Sequence, residues 1–68
     1  MENGWQVVYL SNQLQNIEIV KAALADNDIQ AVVIDKRDSI YVTIGDMEIY
    51  VSNEDAILAR LIIERLGL

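Results

Sequence analysis

The sequence predicts an α+β fold in which two helices lie on one face of an antiparallel sheet. Three observations predict it. Runs of β-branched and aromatic residues alternate with two stretches of helical periodicity. Their order is strand, helix, strand, strand, helix. Ile, Val and Leu make up 24 of the 68 residues, enough for one core and, at this length, one domain over residues 1–68.

Trp5 to Leu10 is rich in β-branched and aromatic residues and predicts the first strand. Asn12 with Gln15 three residues on forms a capping-box pattern, so a helix is expected from about Gln13. Leu14, Ile17, Val20 and Leu24 step by threes and fours along one face of it. Asn27 is placed as its left-handed terminator, with Asp26 and Asp28 as flanking turn residues. Ile29 to Asp35 predicts the second strand, and Lys36 to Ser39 a polar turn. Ile40 to Ile44 and Met47 to Val51 then flank Gly45-Asp46, a two-residue hairpin signal. Whether this hairpin adds a fourth strand is open. The closing helix is expected from Ser52, with Asp55 completing a capping box. Ala56, Ala59, Ile62, Ile63 and Leu66 form its buried stripe, and Gly67 its end. This order is the split βαβ pattern of a ferredoxin-like βαββα half-sandwich. It has no strand after the second helix, which leaves a sheet edge open beside the first strand.

Counting outward from Gly45-Asp46 sets Ile44 opposite Met47 and Tyr41 opposite Tyr50. Met47, Ile49 and Val51 then lie under the helices, and Tyr41, Glu48 and Tyr50 on the far face. In the first strand Val8 and Leu10 are phased inward, and Trp5, Val7 and Tyr9 outward. Gln30, Val32 and Ile34 join them. All four aromatics, Trp5, Tyr9, Tyr41 and Tyr50, are thus expected on the face away from the helices. Such a face is too apolar to leave bare. The candidate contact residues are Trp5, Tyr9, Tyr41, Glu48 and Tyr50. Cross-strand aromatic pairs also stabilise sheets in their own right.

Composition narrows the chemistry. There is no cysteine, histidine or proline. Disulfides, Cys/His zinc sites and His-dependent nucleophile systems are therefore excluded. Glu48 has no second catalytic group beside it, Asp35 and Asp38 lack the spacing of a calcium loop, and no glycine-rich phosphate loop exists. No catalytic residue, metal or cofactor is expected. A net charge of −6 disfavours nucleic acid and anionic membranes. With neither a membrane span nor a signal-peptide pattern in view, the expected location is the cytoplasm. A chain this short buries only about 60% of its unfolded surface. With disulfides and metals excluded, self-association is the expected support.

The residues also resemble a family. Trp5 to Leu10, Ile17 to Leu24, Ile29 to Val32, Asp38-Ser39, Tyr41, Gly45, Glu48, Tyr50-Val51, Asp55-Ala56 and Ala59 are similar to the pattern of the putative prokaryotic signal-transducing proteins. The resemblance covers nearly the whole chain. It implies a bacterial origin and a ferredoxin-like fold related to the PII-like superfamily. The loops at Lys36 to Ser39 and Gly45-Asp46 are shorter than a PII nucleotide-binding loop, so it implies fold rather than nucleotide sensing. The expected function is a non-enzymatic regulatory or protein-interaction module, a homo-oligomer with a possible protein partner. The alternative is a small-ligand sensor with its site between subunits.

Overall fold

A computed structural model describes residues 4–36 and 46–68. Five elements follow in the expected order. They are β1 (Trp5–Ser11), α1 (Leu14–Asp26), β2 (Ala31–Asp35), β3 (Met47–Ser52) and α2 (Ala56–Leu66), the last preceded by a 3-10 turn over Asn53–Asp55. The fold is the α+β, ferredoxin-like arrangement predicted. β3 is the central strand, antiparallel to β1 on one side and to β2 on the other. Among the described residues no strand pairs with the outer edge of β1. No helix among the described residues is long and apolar enough to cross a membrane.

The core is one cluster between sheet and helices. Met47, Ile49 and Val51 enter it from β3, Ile17, Val20 and Leu24 from α1, and Ala56 and Ala59 from α2. Ile62, Ile63 and Leu66 pack at its margin. The two alanines have little side chain to keep α2 away from the sheet. Leu14, expected in the buried stripe, is 49% exposed.

Helix ends follow the expected chemistry with shifted residues. The Gln13 N–H donates to Ser11 Oγ at 2.9 Å, so Ser11 rather than Asn12 supports the start of α1. The left-handed residue after α1 is Asp28 (φ 60°), not Asn27 (φ −106°). The Ile29 N–H donates to the Leu24 carbonyl and the Asp28 N–H to the Ala25 carbonyl, which is the Schellman pattern. Ile29 and Leu24 are both buried there, so Ile29 closes the helix instead of opening β2. The Asn27 side chain donates to the Ala23 carbonyl at 2.9 Å. At α2, β3 runs on through Ser52, and the hydroxyl of Ser52 donates to Asp55 Oδ2 at 3.1 Å instead of capping a backbone N–H. Gly67 is left-handed at the end of α2 (φ 72°), as expected.

Two strand expectations need correction. Met47 pairs with Ser11 and Asp35, and Tyr50 with Val7 and Val32. Both edges of β3 are thus occupied by β1 and β2. The expectation gave Met47–Val51 the partner Ile40–Ile44; the two hydrogen-bonding edges of β3 are instead taken by β1 and β2. Ile40 to Gly45 themselves lie outside the described residues. A backbone bond from the Lys36 N–H to the Asp46 carbonyl joins the ends of β2 and β3.

The second correction is a β-bulge. Val7 pairs with Tyr50, yet Tyr9 pairs with Ile49, which leaves Val8 as the extra residue. One extra residue reverses the facing of everything after it. Tyr9 therefore packs on the core together with Val8, and Leu10 faces outward at 45% exposure. The expectation had Tyr9 outward and Leu10 inward.

Candidate functional site: the open sheet face

The face of the sheet away from the helices is built by alternation. Along β3 the side chains of Met47, Ile49 and Val51 are buried, while Glu48, Tyr50 and Ser52 between them are half-buried on the other side. The strand register then lays out three rows. Trp5 lies beside Ser52. Val7, Tyr50 and Val32 form the middle row. Leu10, Glu48 and Ile34 form the third. Apolar side chains from both edge strands thus flank a polar centre on β3.

Glu48 holds that centre. Tyr50 Oη donates to Glu48 Oε1 at 3.0 Å, and Lys36 Nζ lies 3.2 Å from Glu48 Oε2. The Glu48 side chain is 15% exposed and that of Lys36 40%. Both carboxylate oxygens therefore have a donor, and the pair cancels the charge. The hydrogen bond to Glu48 is the main cause that raises the Tyr50 phenol above its ordinary value of 10.0; removal from water and the carboxylate's charge add to it, while Lys36 opposes it. An ion pair this exposed contributes at most about 1 kcal/mol. Its larger effect is on what the face can meet. A carboxylate already paired and hydrogen-bonded can be covered at far lower cost than a bare one.

Of the five candidate residues, the structure brings Glu48 and Tyr50 into contact and places Trp5 on the same face. Tyr9 is turned to the core by the bulge. Tyr41 lies outside the described residues. Two members were missed. Leu10 was hidden by the bulge. Lys36 has the same parity along its strand as Val32 and Ile34, and that alternation was the signal that would have found it. Among the described residues no pocket forms and no three acidic side chains gather as metal ligands would. Asp38, the second half of the carboxylate pair with Asp35, lies outside the described residues.

Comparison with known proteins gives one match. The model of the family DUF2007, described as putative prokaryotic signal transducing protein, matches residues 5–67. No curated protein and no solved structure matches.

Proposed function

The chain belongs to that family of putative prokaryotic signal transducing proteins, and we propose that it serves as a non-enzymatic, cytoplasmic interaction module that pairs with a second copy of itself through the open sheet face. The observation that carries this reading is the face itself. Trp5, Val7, Leu10, Val32 and Ile34 surround a charge-neutral Glu48–Lys36 pair, and among the described residues no helix covers them. Local charge permits a second copy as the occupant. At the centre of the face Glu48 is paired with Lys36 and hydrogen-bonded by Tyr50, so two copies meeting there do not oppose bare carboxylates.

Size sets the expected strength. Three strands about 4.8 Å apart and about 20 Å long give a footprint of roughly 300 Å². A standard interface takes about 800 Å² from each partner. The pairing is therefore dynamic and concentration-dependent. Sedimentation or native mass spectrometry over a dilution series tests it. Mass should fall from dimer to monomer on dilution, and Tyr50→Asp should give monomer at every concentration with the fold intact. A wild-type monomer throughout the series would overturn the reading.

A second reading, a small-ligand sensor with its site between subunits, is favoured by one observation: polar groups stand at the centre of an apolar face. Both oxygens of Glu48 are already occupied, which favours covering by protein. A metabolite that raises the unfolding midpoint, by binding only the folded state, would reverse that order.

A further inference from the structure

We propose that Arg60 and the bulge at Val8 guard the free edge of β1 against strand addition, and so restrict self-association to the sheet face. This rests on the preceding reading only for the face; the guarding of the edge stands on its own observations.

β1 needs a guard. Among the described residues it is an edge strand, and an edge offers unpaired backbone N–H and C=O groups to any extended chain. Trp5 to Leu10 contains no charge, no proline and no glycine, and three of its six residues are β-branched or tyrosine. That composition favours stacking of strands from separate chains. The other edge, β2, ends in Asp35 followed by Lys36, so charge already stands at its end. β1 has no such residue of its own.

Arg60 supplies the charge from α2. Its Nη2 donates to Gln6 Oε1 at 3.1 Å and to the backbone carbonyl of Val7 at 3.3 Å. The guanidinium thus lies against the backbone of the edge strand, one residue before the bulge. An added strand would have to displace it and desolvate a cation. It would also meet a ladder that changes register at Val8. Bulges and charged side chains are both known ways of closing an edge. Here both act within three consecutive residues, Gln6 to Val8.

The test is Arg60→Leu, with Arg65→Leu as control, since Arg65 is exposed in the last turn of the same helix and loses the same charge. Light scattering and infrared spectroscopy at one fixed concentration read the result. Arg60→Leu should raise the average mass at least about twofold over wild type, with an intermolecular β-sheet band. Arg65→Leu should match wild type. Adding Gln6→Lys to Arg60→Leu places a charge on the edge itself and should restore the wild-type mass. Adding Tyr50→Asp instead should leave the growth in place, because growth runs through the edge and not the face. If Arg60→Leu does not fold, Arg60→Lys, which keeps the charge but loses the planar fork, is read in the same way and should show weaker growth. Wild-type mass for the folded variant, or growth abolished by Tyr50→Asp, would overturn the proposal. Loss of dimer in Tyr50→Asp alone tests the face and leaves the edge result unaffected.

Discussion

The two faces of β3 are made by alternate residues of one six-residue strand, yet they meet different surroundings. Met47, Ile49 and Val51 are at most 1% exposed, sealed by both helices. Glu48, Tyr50 and Ser52 carry polar groups and are half-buried. The first face is occupied within one chain. The second has its apolar flanks prepared and its charge neutralised, with no part of the described chain over it. Folding is decided on one side of the strand, and association is free to be decided on the other.

The sharpest way to break this comparison is Ile49→Ala. Its side chain is wholly buried in the middle of the central strand. Truncation should cost about 3–4 kcal/mol by lost transfer energy and cavity formation. For a chain this small that is much of its stability, and urea denaturation should show loss of most or all of the folded baseline. Tyr50→Asp, on the opposite face, should remove self-association while keeping a cooperative unfolding transition. Equal loss of fold in the two variants would erase the distinction between the faces.

A finer test lies on either side of the bulge. Tyr9→Ser should cost about 2 kcal/mol, because Tyr9 packs on the core. Leu10→Ser should change stability by no more than about 0.5 kcal/mol, because Leu10 faces outward. The reverse order would remove the bulge. Smaller still, Lys36→Met should cost less than about 1 kcal/mol in thermal unfolding, and added salt should shrink the difference from wild type.

The weakest effect is read with alkali. The Tyr50 phenol is held above its ordinary value in the folded chain, chiefly by the hydrogen bond to Glu48. The unfolded chain therefore releases this proton first as pH rises. The contribution of Tyr50 to stability is whole below the ordinary phenol range and is lost as pH climbs through the raised value. Ultraviolet titration should show the Tyr50 phenol ionising late in wild type. Glu48→Gln should bring it forward; an unchanged profile would detach Tyr50 from Glu48.

Much of this was legible in the residues. The alternation of Met47 to Val51 gave the two faces of β3, and the steps Ile17, Val20, Leu24 gave the buried side of α1. Gly67 marked the end of α2. What escaped was set by partners distant in sequence. Val7 and Val8 are both good strand residues, so nothing local marks Val8 as the extra one. Gly45-Asp46 is a sound hairpin signal, but β1 and β2 already occupy both edges of β3, and that competition is tertiary. The shift from Asn27 to Asp28 is a single residue, decided by Ile29 reaching back to Leu24. Of the candidate residues, Trp5, Glu48 and Tyr50 were placed on the open face from parity alone. Leu10 and Tyr9 were exchanged by one inserted residue.

The central position of β3 also sets an order of events. β1 and β2 are neighbours in sequence but never touch as strands; each meets only β3. During synthesis both emerge before β3, and neither can pair with it until Met47 and the residues after it have left the ribosome. The hairpin between β2 and β3 closes a short loop, whereas β1 must find β3 across most of the chain. A nascent chain stalled before Met47 should therefore lack both described strand pairs, β1 with β3 and β2 with β3, which form late. During that interval the uncharged Trp5 to Leu10 segment is without its partner strand, and it is the stretch a holding chaperone would be expected to engage first.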